Sequence, residues 1–361
     1  MLSTDSDMVH IFGVNKGNYV SFFDLNAFDN HEEVAYFSDA ATGLKAIIAV
    51  HSTKLGPAVG GCRLWRYADD KEALTDALRL SRGMTYKNAV AGVGFGGGKA
   101  VIIADRNMKT PEMMQAFGRA VARIGGRYYT AEDVGITPAD IAEVAKETNF
   151  VAGLEHTSGD PSPFTATGTF VGIQASVKHL TGSDSLEGKS VAVQGVGHVG
   201  YYLCKHLANA GAKLIVTDVN QANLNRVVND FSATVVEPAE IYDQEVDIYA
   251  PCALGATLNS QTLPRLKAKI VAGCANNQLA TPDIDQALTD AGILYAPDYV
   301  INAGGIINIS FERSGYCANK ANTKVEKIYD TLSTLYQRAS QENRPTGELA
   351  DQLAQEILAA K

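Results

Sequence analysis

Apolar residues first gather in two short β-rich runs, Glu33-Val-Ala-Tyr-Phe37 and Leu44-Lys-Ala-Ile-Ile-Ala-Val-His51, which predict strands. The spacing then lengthens. Leu74, Ala77, Leu78 and Ser81 fall on one face of a helix that begins at Asp69 or Asp70. Thr110-Pro111-Glu112 and Thr137-Pro138-Ala139-Asp140 each offer a threonine N-cap, a proline at the first helical position and an acid in the first turn, so two more helices start there. A strand, Lys99 to Ala104, lies directly behind a glycine turn. From about residue 185 strands and helices alternate: Ser190–Gln194, a helix over about 198 to 210, Lys213–Thr217, a helix from about 221, then Asp247–Ala250 and Lys269–Ala272. Such alternation predicts a parallel, helix-covered sheet. A helical pattern over about 166 to 180 bridges the two halves, and beyond about 320 the chain reads as helices.

These patterns predict an α/β protein of two domains. An N-terminal α/β domain takes residues 1–150, with a C-terminal helix over 330–361 packing back on it, and residues 151–329 form a doubly wound parallel sheet. The length of 361 residues exceeds what one core usually supports. A formal net charge of −9 argues against a nucleic-acid or anionic-membrane partner. The five cysteines are scattered with no C-x-x-C pair, which favours free thiols in a reducing cytoplasm over a disulfide framework or a metal site. The opening MLSTDSDMVHIF carries no basic and apolar leader pattern, and no apolar run reaches membrane-spanning length.

Gly195-Val-Gly197-His198-Val199-Gly200 matches G-x-G-x-x-G between a strand ending at Gln194 and a helix opening at His198, with Asp218 about 20 residues on. That context reads as a Rossmann dinucleotide turn. The first glycine makes the turn, the second lets a pyrophosphate approach the backbone, and the third brings helix against strand. Asp218 favours NAD, since a carboxylate bonds the ribose hydroxyls and repels a 2′-phosphate. A second match, Gly92-Val-Gly94-Phe-Gly-Gly97, has no apolar strand leading in and a strand leading out, so it is rejected as a nucleotide site.

Gly94-Phe-Gly-Gly-Gly-Lys-Ala-Val-Ile102 also fails as a phosphate loop, because Val93 stands where the first glycine belongs and Ala100 where a hydroxyl should follow the lysine. Together with GPAVGGCR (56–63), MTYKNA (84–89), TAEDVG (130–135), SPFTATG (162–168), CANNQL (274–279) and INAGGIIN (301–308), it resembles the glutamate, leucine, phenylalanine and valine dehydrogenase family along nearly the whole chain, most closely its short NAD-linked leucine branch.

That resemblance implies an NAD-dependent, reversible oxidative deamination of an amino acid to a 2-oxo acid and ammonia by a homo-oligomer. It makes Lys87 the ligand of the substrate α-carboxylate, with Gly60 and Gly61 beside it, and makes Lys99 and Asp133 the catalytic pair. On sequence alone Asp133 reads equally as a cap or a structural ion pair. Desolvation and the neighbouring Lys87 are expected to favour a neutral amine at Lys99. Thr165, Asn276, Asn277 and Asn302 are expected around the nicotinamide and substrate, with the order of the two adjacent asparagines open. Cys252 and Ala253 are expected near the adenosine half.

The implied side-chain pocket, Val59, Ala131, Ile306 and Ile309, is apolar, which argues against glutamate and for leucine, valine or isoleucine. Phenylalanine is the alternative, because one methylene discriminates weakly. A 2-hydroxy-acid dehydrogenase should carry a histidine and arginine pair instead. An inactive NAD-binding regulator would not need both lysines and the carboxylate intact.

Overall fold

The computed structural model describes residues 21–154 and 157–361, and the N-terminal stretch read above for a leader lies outside them. Two six-stranded sheets organise the fold. The first contains β1 (Glu33–Asp39), β2 (Leu44–Ser52), β3 (Ala58–Val59), β4 (Cys62–Trp65), β5 (Gly96–Ile103) and β6 (Tyr128–Tyr129). Its order is β1-β2-β5-β3-β6, with β4 also paired to β5. β1, β2 and β5 run antiparallel, whereas β3, β4 and β6 join in parallel.

Helices α1 (Asp70–Ala91), α2 (Pro111–Arg123) and α3 (Pro138–Ala145) cover this sheet. Side chains on a strand alternate between faces. Ala46, Ile48 and Val50 therefore join Ala100 and Ile102 under Met113, Met114 and Phe117 of α2, while Ile47, Ala49 and Val101 pack under Leu74, Ala77 and Leu78 of α1. Both faces are covered, which is why β2 is apolar almost throughout. The predicted caps are present: Asp69 accepts from Glu72 N at 2.8 Å, Thr110 from Met113 N at 3.2 Å, and Thr137 with Asp140 closes a capping box.

The long helix α4 (Ser162–Thr181) leads to the second sheet, β7 (Ser190–Gln194), β8 (Lys213–Thr217), β9 (Thr234–Val235), β10 (Ile248–Pro251), β11 (Ile270–Val271) and β12 (Leu294–Tyr295). All pairs are parallel, in the order β12-β11-β10-β7-β8-β9. Chain order therefore reverses between β7 and β10, the switch point at which open α/β sheets bind ligands. Helices α5 (His198–Asn209), α6 (Gln221–Phe231) and α7 (Asp283–Asp290) connect the strands, and α8 (Asp298–Ile301) and α9 (Gly304–Ser310) follow.

The single C-terminal helix expected over 330–361 is corrected: the region is three helices, α10 (Ala318–Glu326), α11 (Ile328–Glu342) and α12 (Thr346–Ala359), the last two separated by a left-handed cap at Asn343 and by Pro345. α11 lies on α4, with Tyr336 Oη and Ser176 Oγ 2.8 Å apart. α12 lies on α1, where Ala354 packs with Tyr86 and Ala89 and Gln355 Nε2 donates to Tyr86 Oη at 3.0 Å. Among the described residues, no helix is long and apolar enough to cross a membrane.

Candidate active site

The glycines before Lys99 are strand residues rather than the turn expected from sequence. The reason is crowding. A Cβ on Gly96 would overlap the Ser52 carbonyl, one on Gly97 would overlap the backbone of Thr85 on α1, and one on Gly98 would stand 2.7 Å from the Tyr128 ring. Helix α1 can thus lie directly on β5. Alternation puts Lys99 on the Val101 face, toward α1 and Lys87. Gly92, by contrast, ends α1 in a left-handed cap (φ 61°), as its rejection as a nucleotide turn requires.

Lys99 is 6% exposed, and its Nζ lies 2.9 Å from Asp133 Oδ2. The expectation built on desolvation left this ion-pair partner out. Burial opposes the charge on Asp133, yet Lys99 and the Arg63 guanidinium outweigh it and hold the carboxyl below the usual range. The lysine that burial pushes down is Lys87, to about 8; Asp298 opposes the shift and Lys99 adds to it. Gly60 and Gly61 allow the close approach around this pair. A Cβ on Gly61 would overlap the Glu132 carbonyl, and one on Gly60 would overlap that of Gly98. Glu132 itself is exposed.

Lys87 Nζ donates to Asn302 Oδ1 at 2.7 Å, and Asn302 Nδ2 donates to Asn276 Oδ1 at 2.8 Å and to the Cys274 carbonyl at 3.1 Å. Asn276 is thus tied to the first half through Asn302. Asn277 instead takes a left-handed φ of 52°, and its carbonyl accepts from Ala256 N. Thr165 lies in the first turn of α4, beside the Asn302 segment: a Cβ on Gly305 would come 3.0 Å from its Oγ1. A cavity of about 1430 Å³ runs between Arg79, Gly83 and Tyr86 of α1 and Gly255, Asn277 and Tyr299 of the second half.

At the switch point Gly195 has φ 95°, and a Cβ on Gly200 would strike the Gly195 carbonyl, so both positions need glycine. A Cβ on Gly197 would meet nothing within 4 Å. Space is open there, above the N-terminus of α5, which has no side-chain cap. His198 is exposed and Val199 half-buried in that first turn. Asp218 Oδ2 accepts from Val196 N and Oδ1 from Asn220 N, each at 2.8 Å. Each oxygen keeps acceptor capacity. Cys252 N donates to the Gln194 carbonyl, and Ala253 packs on Gly195. Uncapped N–H groups, open space and a carboxylate at the next strand end suit a dinucleotide.

Of the expected pocket residues, Val59 and Ile306 belong to one apolar cluster that spans both halves. Ala131 is 9% exposed, and Ile309 faces Gly153, where a Cβ would lie 3.5 Å from its Cδ1. Residues the sequence reading passed over are Arg63, which bonds Asp133 at 3.1 Å, and Asp298, which burial pushes above the usual carboxylate range against the pull of backbone N–H groups and Lys87. Arg63 stands two residues from Gly61, so its place in the motif was the available signal. Among the described residues no group of three metal-ligating side chains converges.

Residues 31–150 match the model of the Glu/Leu/Phe/Val dehydrogenase dimerisation domain, and residues 157–224 and 216–356 match that of glutamate/leucine/phenylalanine/valine dehydrogenase. The chain is 53% identical over 331 residues to the leucine dehydrogenase of Geobacillus stearothermophilus, covering 91% of this chain and 90% of that one. It is 47% identical over 333 residues to the valine dehydrogenase of Streptomyces virginiae, covering 90% and 93%. The crystal structure of L-tryptophan dehydrogenase from Nostoc punctiforme superposes with a TM-score of 0.82 at 46% identity, covering 92% of this chain and 96% of that one.

Proposed function

The chain belongs to the Glu/Leu/Phe/Val dehydrogenase family of oxidoreductases, and on that premise we propose that it catalyses the NAD-dependent, reversible oxidative deamination of a branched-chain L-amino acid to its 2-oxo acid and ammonia. The observation that carries this reading is the Lys99–Asp133 pair at 2.9 Å, close enough to Lys87 on α1 for both groups to act on its charge.

Lys87 holds the substrate α-carboxylate with the ammonium protons not given to Asn302. Gly60 and Gly61 let that carboxylate reach it. Gly195, Gly197, Gly200 and the first turn of α5 would hold a nicotinamide cofactor, which would supply the hydride acceptor. Loss of hydride from the substrate Cα leaves an iminium on the substrate. Lys99 and Asp133 then pass a proton between them, so that Lys99 takes one from the attacking water and Asp133 delivers one to the departing nitrogen. In the reverse direction the same groups act in the opposite order.

NAD preference rests on Asp218, and substrate preference on Val59, Ala131, Ile306 and Ile309. An apolar lining leaves a glutamate side chain uncompensated. The catalytic unit is proposed to be residues 1–150 with helix α12 packed back on it, and the dinucleotide-binding unit residues 151–329, with α11 on α4. A homo-oligomer fits a segment that matches a dimerisation-domain model, and a cytoplasmic location is proposed with it from the scattered, unpaired cysteines. Steady-state oxidation of NADH with ammonia and a panel of 2-oxo acids tests the reading: branched aliphatic acids should give the highest kcat/KM. A higher value for an aromatic acid would move the assignment to the phenylalanine or tryptophan branch.

A further inference from the structure

Asp133 is gripped by two cations, and only one of them belongs to the proposed catalytic pair. Its Oδ2 lies 2.9 Å from Lys99 Nζ and accepts from Arg63 Nε at 3.1 Å. Through Nη1 the same guanidinium donates to Asp76 Oδ2 at 2.9 Å, and Asp76 Oδ2 also accepts from Tyr67 Oη at 2.7 Å. A continuous chain, Tyr67, Asp76, Arg63, Asp133, Lys99, therefore ties α1 and β4 to the reacting end of β5. Arg63 and Asp76 remain close to one-fifth exposed, at 21% and 23% of their side chains.

We infer that Arg63 is the positioning residue for Asp133: its fork fixes the carboxylate beside Lys99, and Asp76 with Tyr67 holds the guanidinium from behind. The inference rests on Asp133 being the proton-transferring carboxylate of the proposed reaction. Arginine suits the task because its planar group presents separate N–H bonds to two carboxylates at once. A lysine could supply the charge but would not span both. Shared between two cations, Asp133 Oδ2 cannot follow Lys99 as the lysine moves toward substrate, so the carboxylate stays where the nitrogen leaves.

The groups that face Asp133 are Lys99 from β5, Arg63 and Cys62 from β4, Lys87 from α1 and Tyr128 from β6. Burial pushes the Cys62 thiol and the Tyr128 hydroxyl up, so both stay neutral. The three cations, with the Val134 backbone N–H, answer the carboxylate charge. Removing Arg63 takes one away.

The test compares Arg63→Gln, Arg63→Lys and Asp76→Asn with wild type over a pH series, using NADH, ammonia and a branched 2-oxo acid. Arg63→Gln should lower kcat by about 30-fold or more and move the acid limb of the kcat profile up by about one pH unit, with both KM values within about threefold. Arg63→Lys should restore the limb and leave most of the kcat loss. Asp76→Asn, which leaves Asp133 and Lys99 in contact, should lose about 3- to 10-fold in kcat. An Arg63→Gln enzyme with wild-type kcat and limb overturns the inference, as does full rescue by Arg63→Lys. Should Arg63→Gln fail to fold, an unchanged kcat in Asp76→Asn overturns it equally. A wild-type protein without this activity refutes the functional reading instead. In that case the carboxyl titration followed by infrared difference spectroscopy decides, since an Asp133 band unmoved by Arg63→Gln rejects the positioning role.

Discussion

Lys87 Nζ stands 2.7 Å from Asn302 Oδ1, a hydrogen bond that joins the helix over the first sheet to the turn before α9 beside the second. The proposed carboxylate ligand is thus aimed by a residue of the other half. Replacing Asn302 with alanine removes that acceptor from a half-buried ammonium. A hydrogen bond to a charged group is worth about 1.5 to 3 kcal/mol, so KM for the 2-oxo acid should rise by about 10-fold or more while kcat changes little. Steady-state kinetics of Asn302→Ala measure this, and an unchanged KM would detach Asn302 from substrate binding.

The pH dependence of substrate capture follows from the same lysine. Burial lowers Lys87 to about 8, so its ammonium fraction falls as pH rises through that value. For 2-oxo acid, kcat/KM should therefore decline above about pH 8, approaching tenfold per unit, as expected for one required proton on the free enzyme. The affinity for NADH should stay flat over the same range. A kcat/KM that holds level to pH 10 contradicts the assignment.

Much of the fold was legible because its signals are local. Asp69 caps α1, threonine and proline open α2 and α3, and strand and helix alternate from Ser190 to Val271. The Rossmann turn carried its own strand, helix and acid. Other features depend on distant chain. Gly96–Gly98 read as a turn because glycine usually marks one, yet here Ser52, Thr85 and Tyr128 leave no room for a side chain within a strand. Strands β3, β6, β9 and β12 are two residues long and show no period. Arg63 and Asp133 are 70 positions apart, and Lys87 and Asn302 are 215 apart, so no spacing rule links them.

Asp285 supplies a stability prediction. Burial pushes it up to about 6, against the N–H groups of Gly347 and Glu348 at the start of α12. The folded state then holds an extra proton between roughly pH 4 and 6. The sign follows: this group favours folding at low pH, and its contribution is lost as pH rises through 6. Asp285→Asn should remove that slope, so that Tm between pH 5 and 7.5 falls less in the variant than in wild type. Calorimetry at the two pH values reads it, and a steeper fall in the variant refutes the argument.

Asp218 supplies a cofactor prediction. Its oxygens hold Val196 N and Asn220 N and retain capacity for a ribose hydroxyl. Asp218→Ala should raise KM for NAD by about 10-fold and narrow the preference over NADP, because a repelling charge disappears together with a hydrogen bond. Competition between the two nucleotides measures this, and a variant with undiminished NAD preference places the discrimination elsewhere.

The most direct measurement is the turnover of Lys99→Ala with saturating substrates, set beside its NADH affinity from fluorescence titration. If Lys99 and Asp133 exchange the reacting proton, kcat falls by about 10²- to 10⁴-fold while the nucleotide binds as in wild type. A Lys99→Ala enzyme that turns over at nearly the wild-type rate would show that the buried pair on β5 holds the fold together and takes no part in the chemistry.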